Sequence, residues 1–423
     1  MLGQALPKVI ITDSSERAAL AVIRSLGRRN IEVVAADCSS FNTGFLSKYC
    51  NRRIVYYPPQ KNKVKFVDSI LRLVRNESFD LLIPITDLTL VPILERMNEI
   101  EKYVKVATPP YKTAIKALDK AQTIKIAEER GIPCPKTFFL DDPDDLKEIA
   151  ENLKYPVVIK PRMKVLWIKD RAVTLKVTKR NYAYNNEDLI KKYVKITSQF
   201  HGFDIPHDFF MIQEFAEGES YGVEALMNNS ELKAIFMHKR LREYPITGGS
   251  STLRVSVNNK KLMNYAVDLL KAMDWQGVAM VEFKLDEESG VAKLIEVNGR
   301  FWGSLQLAIN AGVDFPNLLY NAIVQGDAIS CHGYRVGVMQ RWLIPGDLLW
   351  LFASFQNGRG CKLRNFIDFL RSMPIPDDII SLSDVFPTFG VLFETMGYFF
   401  DVIKGNRTIY GETGLRAIHN ELT

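Results

Sequence analysis

Glycine is missing from two stretches that follow apolar strands. The turn Thr12-Asp13-Ser14-Ser15-Glu16-Arg17 has none, and neither does the stretch between Pro161 and Asn181. Without glycine in the first turn a pyrophosphate cannot approach the backbone, and Asp13 and Glu16 would repel it. This disfavours NAD, although Asp37 sits where a ribose-binding acid would stand. The 5 cysteines (Cys38, Cys50, Cys134, Cys331, Cys361) are odd in number and form no CxxC, so reduced thiols in a cytoplasmic protein are expected. The 5 histidines contain no HExxH, which argues against a zinc enzyme, and His201 and His207 read as surface residues. No apolar run is long enough to span a membrane. The early charges Lys8, Asp13 and Glu16 argue against a signal peptide. A balance of 55 basic against 49 acidic residues, net +6, is too mild to imply nucleic acid.

What remains is an ordinary globular composition in 423 residues, enough for two or three domains. Up to residue 110 the chain alternates strand and helix. Strands are expected at Lys8–Asp13, Ile31–Asp37 and Asp80–Ile85. A helix carrying Ala18, Ala19, Val22, Ile23 and Leu26 closes at Gly27. Such near-continuous apolar strands predict a parallel sheet covered on both faces. Thr86 and Asp87 at a strand end are either helix caps or substrate contacts. After Pro109-Pro110 the pattern predicts one helix from Tyr111 to Arg130, then strands at Val157–Pro161, Phe209–Phe215, Gly277–Lys284 and Lys293–Asn298.

The last two strands carry the chemistry. Glu296 and Asn298, two apart, project from one strand face, and Glu282 lies between apolar neighbours on the strand before. Two carboxylates and an amide oxygen form an oxygen-only set that suits Mg²⁺. Lys160 ends an apolar strand, as either a snorkelling residue or a cation aimed at phosphate. Gln213-Glu214-Phe215-Ala216-Glu217-Gly218-Glu219 is a solvated turn or a hinge that reads adenine and ribose. Arg300 either pairs with the metal-site acids or stabilises a transferring phosphoryl group.

Taken in order, these segments resemble the ATP-grasp superfamily over roughly Lys8 to Leu319, about three quarters of the chain. The carriers are Asp119-Lys120, Gly131-Ile132-Pro133-x-Pro135, Val158-Ile159-Lys160-Pro161, Gln213-Glu214-Phe215-x-x-Gly218, Val281-Glu282-Phe283 and Ile295-Glu296-Val297-Asn298-Gly299-Arg300. The flavour is that of carbamoyl-phosphate-synthase-like carboxylate–amine ligases. The resemblance implies a pre-ATP-grasp parallel-sheet domain over 1–110 and an ATP-grasp domain over 111–330. The latter has a lid lobe at about 135–215 and a large lobe at about 216–330, and a mostly helical extension follows over 331–423.

It further implies ATP with Mg²⁺ or Mn²⁺, ADP-forming ligation of a small-molecule carboxylate to an amine, and a homodimer as one assembly. Lys120 and Lys160 would contact phosphates. Glu214 would accept from the adenine amine, Phe215 would offer backbone, and Glu219 or Glu217 would read the ribose. Glu282, Glu296 and Asn298 would hold the metal, and Arg300 would stabilise the transferring phosphoryl group. The region around His238-Lys239-Arg240 and Gly248–Arg254 would face the acceptor, with Arg254 cradling a carboxylate or acyl-phosphate.

The chain departs from the family pattern in its lid, where Arg162, Lys164, Lys169 and Arg171 stand in place of glycines. Either cationic side chains cover the triphosphate or the lid is degenerate and the protein is a nucleotide-binding regulator or scaffold. The setting implied is cytoplasmic small-molecule or cell-surface polysaccharide biosynthesis. The aromatic-rich end beyond residue 330 is expected to pack on the body as a helical subdomain. Docking on a membrane surface or a partner is the second reading.

Overall fold

The computed structural model describes residues 6–140, 142, 145–246, 248–356 and 362–404; Cys361 and residues 405–423 of the extension lie outside them. Five parallel strands open the chain: β1 (Lys8–Ile11), β2 (Glu32–Asp37), β3 (Arg52–Val55), β4 (Leu81–Ile83) and β5 (Lys105–Val106), in the order β3-β2-β1-β4-β5. Alternation along β1 feeds two cores. Val9 and Ile11 join the core beneath the helix Arg17–Gly27, and Ile10 joins the one beneath the helix Lys63–Asn76. The inner strands β1, β2 and β4 are largely apolar because both faces are buried, whereas the edge strands β3 and β5 carry exposed residues.

The helix expected from Tyr111 to Arg130 is in fact two, Tyr111–Leu118 and Lys120–Glu129. Asp119 between them is extended (φ −96°, ψ 109°) and caps the second helix through Ala121 N at 3.0 Å. Arg162 clamps the same carboxylate at 3.0 and 2.6 Å. A cap bond and a bidentate pair outweigh the weak preference of this stretch for one continuous helix. As a result Lys120 begins a helix.

The lid lobe is an antiparallel sheet built from β6 (Thr137–Phe138), β7 (Val157–Pro161), β10 (Tyr182–Ala183) and β11 (Phe210–Glu214), with the hairpin β8 (Val165–Ile168) and β9 (Arg171–Thr174) standing off it. The glycine-free stretch is this hairpin, and Lys169 takes the positive φ of its turn at 55°. Its tip is held by the first domain: Lys63 N donates to Asp170 O at 2.8 Å and Ala172 N to Gln60 O at 2.9 Å.

The large lobe contains β12 (Glu219–Asn228), β13 (Glu231–Tyr244), β14 (Ser250–Ser256), β15 (Gly277–Leu285) and β16 (Ala292–Asn298). A sixth strand, β17 (Met339–Arg341), comes from beyond residue 330 and completes the order β16-β15-β12-β13-β14-β17. The sheet packs on the helix Lys260–Ala272 on one side. On the other, Leu226, Phe236, Val278 and Met280 share a single core with β1 and the helix Arg17–Gly27. That shared core places the carboxyl ends of the parallel strands against the large lobe.

The extension forms the helices Leu348–Gln356, Lys362–Arg371 and Pro387–Ile403. Buried ion pairs join it to the body: Arg24 with Asp384 at 2.9 Å, Arg17 with Asp378 at 2.8 Å, and Arg254 with Asp378. Thr43 N and Oγ1 donate to Glu394 at 2.8 and 2.7 Å. Among the described residues no helix is long and apolar enough to cross a membrane.

Candidate active site

Glu296 and Asn298 leave one face of β16, and Glu282 lies opposite Glu296 on β15. Asn298 binds the set together, with its Nδ2 donating to Glu282 Oε1 at 2.9 Å and to Glu296 Oε1 at 3.3 Å. The expected oxygen donors do converge.

Cations surround them. Lys120 Nζ is 3.9 Å from Glu296 Oε2. Lys160 on β7 donates to Gln213 Oε1 at 2.7 Å, and buried Gln213 in turn donates to Thr137 Oγ1 at 2.9 Å. This fixes the orientation of the amide, with its oxygen on Lys160 and one N–H on Thr137. Arg240 Nη2 is 2.6 Å from Glu282 Oε2. Burial costs Glu296 its charge, but Lys164 and Lys120 overcome that and hold its carboxyl far below its ordinary value. Burial, reinforced by Lys120, lowers Lys160 to about 8. Burial and then Lys164 also lower Lys120, although Glu296 opposes them.

Lys164, read from the sequence only as one of four lid cations, is the residue whose place was not foreseen. From the base of the hairpin its Nζ donates to Glu296 Oε1 at 2.8 Å and to Asn298 Oδ1 at 2.6 Å. An ammonium thus rests on the very oxygens proposed for the metal. Two carboxylates and an amide that already gather a cation fit Mg²⁺ by donor chemistry. With Lys164 in place, the cavity bounded by Asp87, Lys120, Lys164, Glu296, Asn298 and Gly299 is about 10 Å³, close to one water site. The only signal in the sequence was the basic run where glycines were expected.

Arg300 does reach the site, but its partner comes from the first domain: Nε donates to Asp87 Oδ1 at 2.8 Å. Burial opposes the charge on Asp87, and Arg300 followed by Lys164 more than offsets this, leaving its carboxyl below the ordinary value. Asp87 stands in the first turn of the helix Asp87–Glu95. Thr86 precedes it without a side-chain cap bond.

The remaining expected residues are placed less centrally. Glu214 N donates to Lys136 O and Phe215 N to Pro156 O, so the Phe215 N–H is already committed. Its exposed ring meets Tyr182 edge-on at 6.0 Å. Glu219 begins β12 opposite Leu285 and is exposed. Gly218 before it has φ +109°, and a Cβ there would stand 2.4 Å from Leu285 backbone atoms, so this turn requires glycine. Arg254 is not brought to the cluster. It is fully buried and pairs with Asp378 of the extension. His238 likewise turns inward to Glu224 at 2.8 Å. Burial lowers the imidazole and raises the carboxyl, so it disfavours the charged form of each.

Residues 207–341, from β11 through β15 and β16 to β17, match the family described as ATP-grasp in the biosynthetic pathway with Ter operon. The solved biotin carboxylase domain of Hydrogenobacter thermophilus 2-oxoglutarate carboxylase, in complex with MgADP and bicarbonate, superposes with a TM-score of 0.60. Identity is 16%, and 80% of this chain and 74% of that one are covered. The fold is ATP-grasp. The ATP-grasp likeness extends to curated sequences. The carbamoyl phosphate synthase large chain of Pyrococcus furiosus is 22% identical over 231 residues, 53% of this chain and 20% of that one. The D-alanine–D-alanine ligase of Carboxydothermus hydrogenoformans is 28% identical over 236 residues, 50% of this chain and 69% of that one. This chain therefore spans only about a fifth of the length of the synthase.

Proposed function

We infer that this protein is an ATP- and Mg²⁺-dependent ligase that activates a small-molecule carboxylate as its acyl-phosphate and joins it to an amine. The observation that carries this reading is the gathering of Glu282, Glu296 and Asn298 with Lys120, with Lys160 close enough for its charge to act on Glu296 and Arg300 held nearby by Asp87. The named relatives that make carboxyl-derived bonds support it. Glu282, Glu296 and Asn298 would hold the metal, which when bound neutralises phosphate charge. Lys120 and Lys160 would bind phosphate oxygens, and the hinge at Glu214 and Phe215 the base, with Glu219 nearest for the ribose. Arg300, oriented by Asp87, would stabilise the transferring group.

In the first step a carboxylate oxygen bonds the γ-phosphorus while the bond to the β-phosphate oxygen breaks and ADP leaves. In the second the amine nitrogen bonds the acyl carbon, phosphate leaves with the former carboxylate oxygen, and the nitrogen gives up a proton. The hairpin β8–β9 would exclude water from the acyl-phosphate. The setting we propose is cytoplasmic biosynthesis of small molecules or surface polysaccharide, with no nucleic-acid partner and a homodimer as a candidate assembly.

The test is thermal unfolding of the wild type and Glu296→Ala with and without ATP and Mg²⁺, followed by assay of ADP release across carboxylate–amine pairs. At about 100 Kd a ligand stabilises by about 2.7 kcal/mol, a shift of a few degrees. A Mg²⁺-dependent shift lost in the variant, together with ADP release, supports the ligase. AMP release would replace it with an adenylate-forming enzyme.

A second reading is favoured by Lys164 on the metal oxygens and by the hairpin held to Gln60 and Lys63: a nucleotide-binding scaffold without turnover. Nucleotide binding with no ADP release for any pair would select it.

A further inference from the structure

The last described helix, Pro387–Ile403, is amphipathic in the reverse sense. Its polar side faces the protein: Glu394 accepts from Thr43, Gly390 abuts the Thr43 backbone, and Val391 is buried. Its outward side carries Phe386, Phe389, Phe393, Met396, Phe400 and Ile403, with Phe389 62%, Phe393 59% and Ile403 79% exposed. Exposed Leu392 and Phe399 widen this stripe. At 100° per residue the eight side chains cover an arc of about 140°, broader than the narrow seam a partner helix needs. No charged residue of the helix falls within it, and Lys404, just past the helix, lies at its edge in line with Phe386. Among the described residues the Phe41 ring meets Phe393 edge-on at 4.9 Å, while the rest of the stripe stays exposed, and exposed apolar surface on this scale marks an interaction site.

The neighbouring helix Lys362–Arg371 indicates the kind of partner. Leu363, Phe366, Ile367 and Leu370 form a stripe at i, i+3, i+4 and i+7, all exposed, with Leu363 at 65%. Lys362 flanks the stripe on one side, and Arg364 and Arg371 on the other, all exposed. Three acids of the segment are turned inward, Asp378 to Arg17 and Arg254, Asp384 to Arg24 and Glu394 to Thr43, while Asp401 on the last helix is half-buried. Asp368 stands between Arg364 and Arg371 at 3.9 and 3.7 Å. Lys404 ends the last helix. Phenylalanine-rich apolar faces bordered by cations, with the carboxylates withdrawn, complement an anionic lipid interface.

We propose that the helices Lys362–Arg371 and Pro387–Ile403 dock the protein on an anionic membrane surface, lying in the interface rather than crossing it. This goes beyond the ligase reading and does not depend on it. The docking face and the cluster around Glu296 share no residue, so either can fail alone.

The experiment is flotation of the full-length protein with phosphatidylcholine vesicles, with or without about 30 mol% phosphatidylglycerol. Two double variants go alongside, Phe389→Glu/Phe393→Glu and Lys362→Glu/Arg371→Glu, with circular dichroism to confirm their fold and light scattering to give the oligomeric state. All four residues are exposed, so the fold should be unaffected. The wild type should float with anionic vesicles at least about tenfold more than with neutral ones. The aromatic pair should abolish flotation, and the basic pair should remove the preference for anionic lipid. A wild type that floats with neither vesicle overturns the proposal. So does a wild-type dimer that becomes monomeric in Phe389→Glu/Phe393→Glu without any vesicle binding, because the face would then join copies of this chain.

Discussion

Lys164 Nζ lies 2.8 Å from Glu296 Oε1 and 2.6 Å from Asn298 Oδ1, so a side chain from the lid hairpin neutralises the donors assigned to a divalent metal. A metal binding there has to displace it. Lys164→Met should therefore tighten Mn²⁺ binding in the absence of nucleotide by about tenfold, equivalent to about 1.4 kcal/mol. Electron paramagnetic resonance titration reads this directly. Unchanged affinity would mean that Lys164 and the metal do not compete.

Lys160 sets a pH limit. With its ammonium lowered to about 8 by burial and by Lys120, its charge fades as pH rises through that value. If the charge binds phosphate, KM for ATP should climb above about pH 8 while kcat changes less; a flat KM from pH 7 to 9.5 removes Lys160 from the phosphate site. The stability effect has a definite sign. A lysine whose folded value lies below the unfolded 10.5 binds more protons when unfolded, so stability rises with pH between about 8 and 10.5.

Asp378 holds Arg254, which is fully buried, and also accepts from Arg17 at 2.8 Å. Asp378→Asn leaves two buried guanidinium groups without their counter-charge and should cost about 3–5 kcal/mol. Urea unfolding would show a lower midpoint at unchanged slope. A loss below about 0.5 kcal/mol would mean that the extension is not an integral part of the body.

Gly218→Ala tests the hinge. Its φ of +109° and the 2.4 Å approach of a Cβ to Leu285 backbone require either strain or movement of β15, the strand that carries Glu282. We expect a loss of about 1–3 kcal/mol and weaker nucleotide binding. A variant that melts with the wild type and binds ATP equally well would show that the turn yields freely.

Asp87→Asn separates positioning from binding. It removes the counter-charge that orients Arg300 across the domain boundary. Turnover should fall about 10- to 100-fold with KM for ATP little changed. Parallel loss of both would place Arg300 in ground-state binding instead.

Local sequence determined much of this. The alternation of β1 between two cores, the Glu296-x-Asn298 pairing on one strand face and the terminal position of Lys160 follow from strand periodicity, which needs only neighbours in the chain. Arg300 and the two lysines were legible through order and spacing. What tertiary structure alone decided lies at long range. Asp119 breaks a helix because Arg162, 43 residues on, clamps its carboxylate. Lys164 meets Glu296 across 132 residues, and Arg254 is taken from the expected acceptor site by Asp378, 124 residues away. The aromatic run at the end gave no hint of which side would face out, since helical periodicity records that a face exists and not what it meets. Charge pairs and exposed faces are chosen when separate elements pack, because desolvation makes each buried ion depend on whichever opposite charge the fold brings to it.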